Sequence, residues 1–241
     1  MRLSSAVLVM IVLVGFSANV LADENQTVKE VSLQAPNNVK IRLRMEGPYD
    51  ADVPLQSVCY FKHKESGDTM QGAALELDKR LSGAISSLRN RKEFVGEELE
   101  TFLLQSPKNS LKPKMLLLVG LGDEDSLSLE RMERIGRVAF RETARLGATR
   151  AAFAPLLRDQ GDSKLDTGEV ERAVTRGVLL AYDTDKRLQK EGLAKPFTLD
   201  EWIVEAGPSY FDMTKAGIQK GIEDASAAIA KRSTDPYASK K

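Results

Sequence analysis

One cysteine, one histidine and one tryptophan stand in a chain of 241 residues, and each scarcity closes off some chemistry. Cys59 has no second cysteine to pair with, so no internal disulfide staples the fold and packing must hold it. His63 lies alone between Lys62 and Lys64 and reads as a surface residue at a strand end, which excludes a metal centre built from histidines. Charge of one sign is not in excess, since 35 lysines and arginines face 35 acids. Without a long-range positive field, nucleic acid is not an expected partner. Past residue 22 no apolar run approaches the roughly 18 residues that span a bilayer. No internal repeat or low-complexity tract is visible.

The longest apolar run opens the chain. Arg2 precedes Ala6–Phe16 (AVLVMIVLVGF), and Val20 and Ala22 then occupy the two positions that a signal peptidase reads. This is the form of a secretory signal peptide, 1–22, with cleavage expected after Ala22 and a periplasmic or secreted product with no membrane insertion. No cysteine follows the apolar core, so a lipid anchor is not expected. Residues 23–231 suit a single α/β domain with an adequate core, and 232–241 form a polar tail.

The domain is organised around Lys114–Asp123 (KMLLLVGLGD). Met115–Val119 is too short for a helix core and suits a strand buried on both faces. Gly120-Leu121-Gly122 breaks the run, acids follow at Asp123, Glu124 and Asp125, and an amphipathic helix starts near Ser128. Strand, turn and helix make the unit of an α/β sheet, whose ligands sit at the carboxyl ends of the strands.

Upstream, Val31–Leu33 and Val39–Met45 alternate apolar and polar residues as a strand pair with one wet face, and Ser57–Phe61 is a denser, more central strand. Gly67–Asn90 reads as one helix capped by Asp68 or Thr69, and Phe94–Leu104 as a short hairpin. Downstream, the helix Ser128–Leu146 turns Leu129, Met132, Ile135, Gly136 and Ala139 inward and Arg131 outward. Arg150–Pro155 is a strand, Thr167–Glu191 a helix and Ser209–Lys231 the last helix. Phe197–Val204 is a strand interrupted by Asp200 and Glu201, which places it at an edge. The order predicts a three-layer α/β/α fold with a mixed, mostly parallel sheet.

Catalytic groups are hard to find. Cys59 and His63 would stand about 13 Å apart along a strand, beyond hydrogen-bond reach. Asp123, Glu124 and Asp125 read as acids favoured where a helix begins rather than as a metal loop. No Ser-x-x-Lys or Gly-x-Ser-x-Gly run offers a serine nucleophile. Gly120-Leu121-Gly122 lacks both the third glycine of a dinucleotide fingerprint and the Gly-Lys-Ser/Thr of a phosphate loop. No catalytic residue, metal or cofactor is expected.

The run Leu116–Leu156, with VGLG, a charged loop and a helix starting Leu127-Ser128-Leu129-Glu130, resembles the N-terminal domain of the M17 leucyl aminopeptidases. Arg176-Gly177-Val178-Leu179-Leu180-Ala181-Tyr182-Asp183 is similar to a further piece of that domain, although Thr184 precedes Asp185 where the family usually has a phenylalanine. The resemblance spans about Pro54–Lys231 and implies a macro-domain-like fold. The family's catalytic signature, an Asn-Thr-Asp-Ala-Glu-Gly-Arg run, is nowhere in this sequence, so no catalytic position carries over. In the full enzymes this domain helps build the oligomer, which implies a protein partner or self-association. The macro-domain likeness places candidate ligand-binding residues in two loops, Gly120, Leu121, Gly122 and Asp123 in one, Arg158 and Asp159 in the other. The expectation is a stand-alone, non-catalytic periplasmic binding or assembly module. The alternatives are a small-ligand binder of nucleotide or ADP-ribose type and an accessory part of a metalloaminopeptidase.

Overall fold

The apolar runs line up as one sheet in the computed structural model, which describes residues 28–237. The expected signal segment and residues 238–241 of the tail lie outside the described residues. The strands are β1 (Glu30–Gln34), β2 (Lys40–Arg44), β3 (Leu55–Phe61), β4 (Thr101–Gln105), β5 (Met115–Gly122), β6 (Arg150–Ala154) and β7 (Glu201–Glu205). Their order is β1-β2-β7-β6-β3-β5-β4. From β2 to β5 every neighbouring pair is parallel, and the two edge strands run antiparallel to their neighbours. The sheet is therefore mixed and mostly parallel, between helices α1 (Gly72–Arg80), α2 (Ala84–Asn90), α3 (Leu129–Arg145), α4 (Thr167–Lys190) and α5 (Phe211–Ala230). Among the described residues no helix is long and apolar enough to cross a membrane.

Strand alternation divides the core into two main layers. Cys59, Leu117, Val119, Phe153 and Trp202 face α3, α4 and α5, through residues such as Met132, Ile135, Val174, Val178 and Ile218. Val58, Tyr60, Leu116 and Leu118 face the other way, onto Leu77, Ile85, Leu88 and Phe94. Where α1 and α2 do not reach, Ala51 and Val53 of the segment after β2 cover Ala152 and Ile203. The three-helix layer packs backbone against backbone. A Cβ on Gly136 would collide with Val174 O, and one on Gly177 with Glu133 O, so glycine lets α3 and α4 approach this closely.

Four expectations need correction. Strand β7 lies in the interior of the sheet, between β2 and β6, with all five residues buried. Of its two acids, Glu201 is tolerated because it accepts from Arg42 (2.8 Å) and Arg150 (3.1 Å). The expected helix 67–90 starts only at Gly72 and breaks at Ser82 and Gly83, both at positive φ. Asp78 then starts α2 by accepting from Ile85 N, Ser86 N and Ser86 Oγ. Residues 94–96 form no strand, because the Glu100 carboxylate gathers the amides of Val95, Gly96 and Glu97 into a turn. Arg131 is buried rather than outward.

Candidate functional site

Strand and helix ends converge on a cleft of about 540 Å³ above the carboxyl ends of β2, β6 and β7. Its floor and walls come from three post-strand segments, Met45–Tyr49, Ala154–Asp159 and Glu205–Pro208. Ala73 of α1, Val170 and Glu171 of α4, and Thr214 of α5 close the sides. The volume lies in the range of small-molecule sites, and most of the lining is apolar.

The segment after β6 is pinned from below. Gln160 is buried, accepts from Phe61 N (2.9 Å) and donates to Cys59 O (2.9 Å) and Leu156 O (3.1 Å), tying this loop to the end of β3. Asp159 fastens α1 from the same loop, its carboxylate accepting from Ala73 N (3.2 Å) and its carbonyl from Gln71 N (2.8 Å). Arg158 is occupied within the protein. Its guanidinium donates to Asp162 O (2.6 Å), Leu165 O (2.5 Å) and Thr167 Oγ1 (3.3 Å).

Two acids in the lining have unanswered oxygens. Among the described residues, Glu171 Oε2 and both oxygens of Glu205 lack a hydrogen bond of good geometry, and the two residues are only 2% and 6% exposed. Gln56 of β3 directs its Nε2 to Ser57 O (3.2 Å), and the same amide lies against the Glu205 carboxylate, where it favours the charged form against the burial that opposes it. Burial disfavours the charged form of such groups. It pushes the Glu171 carboxyl up to about 8. Burial, and then the charge of Glu46, lift Glu205 well above the usual carboxylate range. Burial also raises Glu46, against the pull of Arg44, and Asp159, against its bond from Ala73 N.

The proton on Glu171 has a consequence for stability. The folded chain keeps it while the unfolded chain releases it above about pH 4.5, so stability falls as pH rises toward about 8 and this contribution levels off beyond. Glu171→Gln keeps the shape and cannot ionise. It should flatten the fall and gain ~3 kcal/mol over the parent between about pH 5 and about pH 8. Urea unfolding across that range measures the difference; parallel curves for parent and variant would refute the assignment.

Of the residues singled out in the sequence, Arg158 and Asp159 line the cleft. Gly120, Leu121, Gly122 and Asp123 lie elsewhere, at the end of β5. The space over Gly120 is filled by the chain itself: Leu99 N donates to Gly120 O (2.9 Å), Gly120 N to Glu100 O (2.7 Å) and Gly122 N to Gly96 O (2.9 Å). Arg131 holds the turn from beneath, donating to Leu121 O (3.0 Å) and Asp123 O (3.2 Å) while pairing with Glu98. Glu124 and Asp125 are engaged by Lys64 and Lys164, and Ser128 caps α3. His63 is no free surface group, since its side chain is 11% exposed and its Nδ1 lies 3.0 Å from Asp68. Cys59 is buried, and burial pushes its thiol up. Among the described residues no group of three or more His, Cys, Asp or Glu could hold a metal ion.

Sequence reasoning passed over Glu46, Glu171 and Glu205. Glu205 closes a strand whose other residues are largely apolar, and Glu171 sits next to Val170 on the inward side of α4. An acid within an otherwise inward stripe was the available signal.

Comparison with known proteins agrees with the fold. A family model described as "Cytosol aminopeptidase family, N-terminal domain" matches residues 58–192, more than half of the chain. A "Probable cytosol aminopeptidase" of Thermosynechococcus vestitus is 32% identical over 123 residues, which is 49% of this chain and 23% of that protein. A structure of a tomato leucine aminopeptidase mutant superposes with a TM-score of 0.58 at 20% identity, covering 82% of this chain and 38% of that one. The Oceanobacillus iheyensis macrodomain, solved with MES bound, gives a TM-score of 0.57 at 9% identity over 82% of this chain and 100% of that one. Solved with ADP it gives 0.55 at 10% identity, over 82% and 99%. Those identities speak to fold. The matched stretch makes up 17–25% of the length of the curated relatives.

Proposed function

Because the chain belongs to the cytosol aminopeptidase family by its N-terminal domain, we propose that it serves as a small-ligand-binding module whose site is the cleft above β2, β6 and β7. One observation carries this reading. The cleft is preformed, mostly apolar and edged by a few buried polar groups, which is the physical description of a ligand site. Its place at the carboxyl ends of parallel strands is where open α/β sheets hold ligands. A macrodomain of the same fold, solved with ADP and with MES, supports a ligand-binding role for this scaffold. The segment Ala6–Phe16 and the small residues up to Ala22 support action in the periplasm or outside the cell.

The test is a thermal-shift screen of small amphiphilic molecules, confirmed by calorimetry, on the parent and on Ala73→Phe, which fills the cleft from α1. A ligand at a hundredfold excess over its Kd should stabilise the parent by ~2.7 kcal/mol and leave the filled variant unmoved. Equal shifts in both proteins, or none across the screen, would remove the cleft as a binding site.

A further inference from the structure

The charges around the cleft do not suit a phosphorylated ligand. Its lining includes four acids, Glu46, Asp159, Glu171 and Glu205, and one cation, Arg158. Arg158 is already committed to two carbonyls and a hydroxyl. The amino end of α4, which would attract an anion, is capped by Asp166, whose carboxylate accepts from Glu169 N (3.0 Å). Two of the acids are answered, Glu46 by Arg44 (2.7 Å) and Asp159 by Ala73 N. That leaves Glu171 and Glu205, both more than nine-tenths buried, with three oxygens between them that no cation and no backbone amide among the described residues answers, the Gln56 amide being the one donor beside Glu205.

From this we infer that the cleft takes an amine, with its ammonium group set against Glu171 and Glu205 and its apolar body against Met45, Pro48, Leu156, Val170, Ala206 and Pro208. The inference deepens the small-ligand reading and rests on it. An ammonium group brings three donors and one positive charge to acceptors that have neither, and hydrocarbon walls reward an uncharged remainder. A diphosphate would find no free cation in the lining, where Arg158 is already engaged.

Binding should also move protons. Glu205 is faced by Glu46, Asp50 and Arg44, and Glu171 stands near the buried Cys59 thiol, so the empty cleft favours protonated carboxyls. As the ammonium arrives, a carboxyl gives its proton to solvent and becomes the counter-ion. Affinity therefore rises with pH from about 6 to about 8, while the amine stays charged.

The experiment titrates the purified protein at pH 8 with hexylamine, N-acetylhexylamine, hexanoate and ADP-ribose by calorimetry. A short apolar peptide amide with a free N-terminus separates a peptide end from a free amine as the source of the ammonium group. The expected result is heat from hexylamine with proton release, and none from its acetylated or anionic counterparts. Glu171→Gln and Glu205→Gln should each weaken hexylamine at least about tenfold, with urea midpoints showing that the variants fold. ADP-ribose binding in the cleft without amine binding would overturn the inference and leave the small-ligand reading standing. Equal binding of hexylamine and N-acetylhexylamine would also overturn it, without recourse to any variant. Failure of every probe in this set sinks the amine, whereas only the wider screen with Ala73→Phe can sink the cleft.

Discussion

Asp68→Ala is expected to destabilise the protein by ~3–5 kcal/mol, because it strands a buried cation. Arg89 is 1% exposed, its Nε donates to Asp68 Oδ2 (2.5 Å) and its Nη2 to Phe61 O (2.8 Å). Its guanidinium also packs near the rings of Tyr60 and Phe94, 5.4 and 5.8 Å from their centroids. With Asp68 gone, that charge keeps a carbonyl and two aromatic faces but no counter-ion among the described residues. Asp68→Asn should cost less, since an amide oxygen still accepts. The effect depends on pH. Burial opposes ionisation of Asp68, yet the hydrogen bonds from Arg89 and His63 outweigh it and hold the carboxyl below its usual range. The group therefore contributes fully above about pH 4, and the contribution disappears as pH falls through its lowered value. Parent and Asp68→Ala should converge in acid; a gap that persists unchanged to about pH 2 would show that the ion pair is not its source.

Gly120→Ala should cost ~3 kcal/mol, at the upper end of overpacking effects. A Cβ there would collide with Glu97 O, and the atoms next nearest are also backbone, Gly96 C (2.7 Å) and Glu97 C (2.9 Å). No rotamer change relieves a clash with main chain. The loop 95–99 would have to lift, at the expense of the bonds from Leu99 N to Gly120 O and from Gly120 N to Glu100 O. Gly207→Ala is the control: its Cβ would meet nothing within 4 Å, and its effect should stay within about 0.5 kcal/mol. Urea unfolding of the two variants checks both numbers. A cost below about 1 kcal/mol for Gly120→Ala would mean that the loop does not pack as described.

The same glycine shows how far reading residues in order can go. The pattern KMLLLVGLGD announced a buried strand that Gly120-Leu121-Gly122 would break; β5 is that strand, but it runs on through Gly122, because residues 120–122 stay paired with β3 and with the loop 96–100. A glycine kept free of a side chain for a ligand and one kept free for a neighbouring loop look alike in sequence. Only the approach of residues 96–100 distinguishes them. Arg131 is similar, since on a helical wheel it falls among outward charges. Its burial depends on carbonyls at Leu121 and Asp123 that a periodicity argument does not see. Strand β7 was legible as a strand and illegible in position, because Glu201 reads as a solvent residue unless Arg42 and Arg150 are known to stand beside it. Asp68 looked like a helix cap for a related reason, its partner Arg89 being 21 residues away.

The sequence by itself determined the layered α/β class, the buried strand β5 though not its place beside the edge strand β4, the long helices α3, α4 and α5, and the family. Those properties follow from local patterns of apolar spacing and from runs of matching residues, which are present in the chain before it folds. The tertiary structure decided where the cleft lies and what lines it. Glu46, Glu171 and Glu205 come from β2's exit, the second turn of α4 and the end of β7, and only the parallel crossovers bring them to one place. Whether each is answered there by a cation, a backbone amide or nothing depends on neighbours distant in sequence, and no local pattern carries that information.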